Sequence, residues 1–150
     1  MSEQFFLTVV NALAAQSKCV SRQVGAVIVK DGRIISTGYN GTVSGTKNCC
    51  EIFDHEFDAE AHHQWSIKNE IHAEQNAIAM AAKQGISIDG CTCYCSLQPC
   101  NTCLLLLIQS GIKEIVYDEI YERSKYHEDL LKTVEAKGIV IRRFDATLDK

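Results

Sequence analysis

The chain has 150 residues, 46% of them hydrophobic, which is enough to enclose one layered core, so a single domain over 1–150 is expected. A formal charge of −4 without any Lys/Arg cluster argues against a nucleic-acid backbone as partner and favours a small-molecule substrate. No basic flank with an apolar core opens the sequence and no apolar run reaches membrane-spanning length, so the expected location is cytoplasmic, without a membrane partner.

Glu3 to Ser17 places Phe6, Val9, Val10, Leu13 and Ala14 at helical spacing and predicts an amphipathic first helix. Val24–Val29 and Arg33–Thr37 are β-rich runs around Lys30-Asp31-Gly32, a hairpin signal because Asp-Gly tolerates the positive φ of a tight turn. From Asn40 to about Asn69 no periodicity is evident, and the segment reads as a long functional loop or a solvated insertion. Alanine-rich Ala73–Lys83 predicts a helix stopped by Gly85, and Cys91–Cys95 a buried strand. Pro99 suits the first turn of a helix running to Gln109, with Leu104–Ile108 as its buried face. A strand at Glu114–Tyr117, a helix at Lys125–Ala136 and a strand at Ile139–Arg143 complete the order. Such alternation implies an α/β fold in three layers, with helices on both faces of a five-stranded mixed central sheet.

Eight cysteines in a reducing compartment remain thiols, which makes metal ligation the leading explanation for some of them. Cys100 and Cys103 are spaced to project from one face of a helix start, where the macrodipole favours thiolates. A Cys-x-x-Cys pair alone is equally compatible with redox chemistry, a structural zinc half-site or plain burial. His72-Ala73-Glu74 and Pro99 change the balance. His72 and Glu74 would sit about 200° apart on an ideal helix, so they share a site only if His72 lies at the helix start. Two thiolates and one imidazole suit zinc and leave the fourth tetrahedral position open for chemistry. The combination matches the signature of zinc-dependent base deaminases. In that chemistry activated water attacks C4 of cytosine, while Glu74 carries one proton of that water to N3 and the other to the leaving amine.

With those motifs in place, the chain resembles the deoxycytidylate (dCMP) deaminase family, particularly its T-even phage type. The resemblance runs through Cys19 to Ile28, Gly38 to Gly41, Asn48 to Cys50, Trp65 to Glu74 and Gln109 to Lys113. It implies the cytidine-deaminase fold, with His72, Cys100 and Cys103 as ligands of catalytic zinc and Glu74 as proton shuttle. It also implies hydrolysis of dCMP to dUMP and ammonia, which supplies dUMP for dTMP synthesis. Asn40 matches the asparagine that recognises the sugar, and Arg22, Val24 and Tyr121 fall where base or phosphate contacts are implied. For these residues turn chemistry, a solvated charge and simple packing remain the alternatives. A second, structural zinc is implied at Cys19, Cys49, His62 and Glu70, which spacing alone would not have selected. The alternative there is a buried thiol pair beside a surface carboxylate.

The same resemblance implies a hexamer, activated by dCTP with Mg2+ and inhibited by dTTP, with Gly38, Tyr39, Gly41, Gly45 and Lys83 at the corresponding effector positions. Val43 and Lys83 depart from the proline and arginine found in the phage relative. Cys91, Cys93 and Cys95 read as small buried side chains on one strand face, Cys50 has no assigned role, and His55, His63 and His127 read as loop or surface residues. The competing functions are deamination of dCTP or another cytosine nucleotide, deamination of adenosine in transfer RNA, and a non-enzymatic zinc module.

Overall fold

The computed structural model describes residues 2–54, 57–122 and 125–148. Helix α1 (Glu3–Ala14) starts where the Ser2 hydroxyl accepts a hydrogen bond from the Phe5 amide. It stops short of the expected Ser17, whose hydroxyl donates instead to the Asn40 carbonyl at 3.0 Å. Strands β1 (Gly25–Lys30) and β2 (Arg33–Tyr39) form the expected hairpin, with Asp31 and Gly32 at φ of 51° and 74° in the turn.

The segment expected as a loop is largely ordered. It holds β3 (Gly41–Thr42), a short helix α2 (Cys49–Ile52), helix α3 (Ala59–Asn69) and β4 (Glu70–Ile71), and β3 pairs with β4 in a small antiparallel sheet. The reason is side-chain chemistry: Asp58 caps α3 by accepting from the Glu60 and Ala61 amides, and His62 is the helix's buried residue.

Helix α4 (Ala73–Gln84) ends at Gly85, whose φ of 69° closes it. Strand β5 (Thr92–Leu97), helix α5 (Asn101–Gln109), strand β6 (Glu114–Glu119), helix α6 (Glu128–Ala136) and strand β7 (Val140–Arg143) follow. Pro99 lies outside α5, because Cys100 takes the capping position. The main sheet has the order β2-β1-β5-β6-β7. β1 is antiparallel to both neighbours, and β5, β6 and β7 are parallel, joined by crossovers through α5 and α6.

Strand alternation sorts the core into two faces. Val27, Val29, Tyr94 and Val116 pack under Phe6, Leu7 and Val10 of α1. Ala26, Ile28, Cys93, Cys95 and Ile115 pack under α4, α5 and α6, so the expected three-layer mixed sheet is present. Registry of Ile28 with Cys93 and of Ala26 with Cys95 turns these cysteines into the core, and Cys91 joins the same cluster. Only part of Leu104–Ile108 is buried: Leu104 and Leu107 face inward, whereas Leu105 and Leu106 are 56% and 41% exposed.

One close approach positions the site. Gly38 of β2 lies beneath the start of α4, where a Cβ would meet the Ala73 carbonyl oxygen at 2.3 Å and the Ala77 nitrogen at 2.6 Å. Glycine there lets the alanine face of α4 settle directly on the hairpin.

Candidate active site

Two helix N-termini converge beyond the carboxyl end of β5. His72 is the N-cap of α4 and Cys100 the N-cap of α5, with Cys103 one turn into α5. The His72 amide donates to Gln75 Oε1 at 2.9 Å, which fixes the start of α4. His72 Nδ1 lies 3.3 Å from Cys103 Sγ and 3.6 Å from Cys100 Sγ. The three donor atoms fall within 4.8 Å of one another, a spacing that surrounds an ion bonded at about 2.3 Å to sulfur and 2.0 Å to nitrogen.

The electrostatics suit a metal. Hydrogen bonding from Cys103, reinforced by His72, pulls the Cys100 thiol down to about 4, against the effect of its own burial. The same Cys100–Cys103 hydrogen bond, together with burial, pushes Cys103 up. The metal-free cluster therefore holds a thiolate at Cys100, and hydrogen bonding to that sulfur raises His72. Glu74, in the first turn of α4, is only 4% exposed. Burial raises its carboxyl, while Cys103 and His72 pull in the opposite direction. A carboxyl lifted towards neutrality can both accept and return a proton.

A cavity of about 590 Å3 opens above this cluster, with His72, Glu74 and Cys100 on its wall. That size suits a small-molecule ligand. Arg22, Val24, Asn40 and Tyr121 line the same cavity, so all four expected substrate residues share one space with the cluster. Asn40 is an organiser of that wall: its Oδ1 accepts from the Val24 amide at 2.9 Å, and its Nδ2 donates to the Arg22 carbonyl at 2.8 Å. The Arg22 guanidinium lies 4.6 Å from the centre of the Tyr121 ring, a cation–π contact.

Cys19, Cys49, His62 and Glu70 form a second cluster, also with donor atoms within 4.8 Å. His62 Nε2 lies 3.1 Å from Cys49 Sγ, 3.7 Å from Cys19 Sγ and 3.6 Å from Glu70 Oε1. Burial pushes Cys49 up to about 12 and also raises Cys19. Glu70 Oε2 is buried without a hydrogen-bond partner among the described residues. A buried carboxylate grouped with two thiols and an imidazole, its second oxygen unpartnered, is costly in bare protein and fits a bound cation. Phe53, Phe57 and Trp65 pack around the His62 ring and screen the cluster.

Other expected positions lie apart. Gly38, Tyr39, Gly41, Gly45 and Lys83 do not line the cavity; Gly38 is buried beneath α4, while Tyr39, Gly45 and Lys83 are exposed. Cys50 is exposed, and His127 caps α6. His55 lies outside the described residues. Several cavity-lining residues were not anticipated, among them His63 and Ser66 on the face of α3. Their three-residue spacing below the Asp58 cap is the one signal that could have found them.

A sequence model of the cytidine and deoxycytidylate deaminase zinc-binding region matches residues 1–119, which include both clusters and Glu74. The chain belongs to the cytidine and deoxycytidylate deaminase family. The deoxycytidylate deaminase of Enterobacteria phage T4 is 41% identical, in an alignment covering 83% of this chain and 81% of that protein. The deoxycytidylate deaminase of Homo sapiens is 33% identical, covering 94% of this chain and 78% of the relative. A dCMP deaminase from cyanophage S-TIM5, solved with dCMP and dUMP, superposes with a TM-score of 0.75 at 30% identity, covering 95% of this chain and 96% of the other. In this deaminase the matched zinc-binding region contains His72, Cys100 and Cys103, a group that could hold a metal ion and that the two helix starts assemble.

Proposed function

We propose that this deaminase converts dCMP to dUMP and ammonia, supplying dUMP for dTMP synthesis. The observation that carries the reading is the placement of buried Glu74 beside a three-donor cluster on the wall of a nucleotide-sized cavity. Held by His72, Cys100 and Cys103, zinc supplies a Lewis acid that brings the pKa of water to about 7. Glu74 does the proton work: its carboxylate accepts one proton of water as the oxygen bonds to C4 of cytosine, delivers it to N3, and then passes the remaining hydroxyl proton to the amine, which leaves as ammonia when the C4–N bond breaks. Asn40 holds the Arg22–Val24 segment against the sugar, and Arg22 and Tyr121 face the phosphate end.

Further parts of the reading rest on family likeness and on local features. Cys19, Cys49, His62 and Glu70 hold a second, structural zinc, a role supported by the unpartnered Glu70 oxygen. The protein works as a homo-oligomer, a hexamer, supported by the exposed Leu105, Leu106 and Leu131 on α5 and α6. dCTP with Mg2+ activates it and dTTP inhibits it, with the exposed Tyr39, Gly45 and Lys83 as the effector side. It acts in the cytoplasm, and among the described residues no helix is long and apolar enough to cross a membrane.

A substrate panel tests the reading. Purified protein is expected to release ammonia from dCMP faster than from deoxycytidine or dCTP, and to slow when dTTP is added. Activity on a transfer-RNA anticodon stem, with none on free nucleotides, would overturn the substrate.

A further inference from the structure

The cavity has a charge problem that its known parts do not solve. Glu60 lines it outside both metal clusters, and a nucleotide phosphate brought into it meets that repulsion. Among the described residues, the cavity lining outside the two metal clusters offers one guanidinium, Arg22, and one imidazole, His63. Arg22 has its guanidinium over Tyr121 and no salt bridge among the described residues, so its donor fork remains available. His63 is exposed and makes no side-chain hydrogen bond among the described residues, although its neighbour His62 is bound into the second cluster.

We propose that His63 is a specificity-determining residue that, with Arg22, grips the 5′-phosphate of the substrate. Its position follows from the second cluster. His62 anchors α3 through Cys49 and Glu70, and the next residue on the helix is turned to the cavity. Ser66, one turn further along α3, lines the cavity too and adds a hydroxyl to the same wall. An imidazole N–H and a guanidinium together make charge-assisted hydrogen bonds to a phosphate that a nucleoside lacks.

The inference rests on the dCMP reading and is tested by the ratio of kcat/KM for dCMP to that for deoxycytidine. Losing one hydrogen bond to a charged group lowers such a ratio by about tenfold or more. His63→Ala is expected to lower the ratio about tenfold, chiefly through KM for dCMP, and His63→Arg to restore most of it. Zinc content and thermal midpoint establish that each variant is folded. A folded His63→Ala protein with the wild-type ratio would overturn the assignment of His63. So would equal losses on nucleoside and nucleotide, which would make His63 a shaper of the cavity. Wild-type protein inert on both substrates would refute the dCMP reading itself, and the assignment with it.

Discussion

Gly38→Ala is a one-carbon change outside the cavity that should reach the chemistry. The new methyl would lie 2.3 Å from the carbonyl oxygen of Ala73, where ordinary contact begins at 3.4 Å, so α4 must retreat by about 1 Å. Ala73 stands between His72 and Glu74, so the retreat moves the proposed metal ligand and the proposed proton shuttle together. Overpacking of this kind costs about 1–3 kcal/mol. For a domain of this size that lowers the melting midpoint by roughly 2–4 °C per kcal/mol. A displacement near 1 Å at reacting groups costs on the order of 100-fold in rate. The expected protein is folded and slightly less stable, with kcat for dCMP down by about two orders of magnitude and KM little changed. Differential scanning calorimetry and steady-state ammonia release read both effects. Wild-type kcat and midpoint in Gly38→Ala would refute the packing argument. An altered response to dCTP or dTTP alone would assign Gly38 to regulation instead.

Two further outcomes follow from the clusters. Cys49→Ser should lose about one zinc per chain by metal analysis while keeping the catalytic one, and should raise KM for dCMP, because Cys19 and Glu70 tie the cavity walls to that cluster; unchanged zinc content would contradict the second site. In zinc-stripped protein, Cys100 should be alkylated by iodoacetamide at pH 6 and Cys49 should not, since their thiols stand at about 4 and about 12. Cys100 has a depressed folded pKa, so its thiolate stabilises the apoprotein fully above the ordinary thiol value of about 9 and progressively less as pH falls towards about 4. Peptide mass spectrometry across that range checks the order, and preferential labelling of Cys49 would reverse the assignment.

The meeting of His72, Cys100 and Cys103 was legible because its parts are written in short linear motifs that also build helix starts. His72 and Cys100 both became N-caps, which resolved the angular conflict between His72 and Glu74 that an uninterrupted helix would have imposed. The sheet was legible from alternation and from Asp31-Gly32. The second cluster was not legible from spacing. Cys19 and Glu70 stand 51 residues apart, and their meeting depends on α3, a helix whose buried residue, His62, faces a prospective ligand set and not an apolar core. Periodicity cannot register a helix stabilised that way, so α3 read as loop and the cavity-facing His63 read as surface. Pro99 was misplaced for a related reason: proline tolerates the position before a cap as well as the first turn, and Cys100 took the cap.

The most direct measurement compares zinc content and dCMP turnover in wild-type protein and Glu74→Gln. The variant keeps the buried volume at position 74 and the three ligands, but its amide cannot carry a proton. Wild-type-like zinc with turnover reduced by about 100-fold or more is expected. Full conversion of dCMP to dUMP by a zinc-replete Glu74→Gln protein would contradict the account.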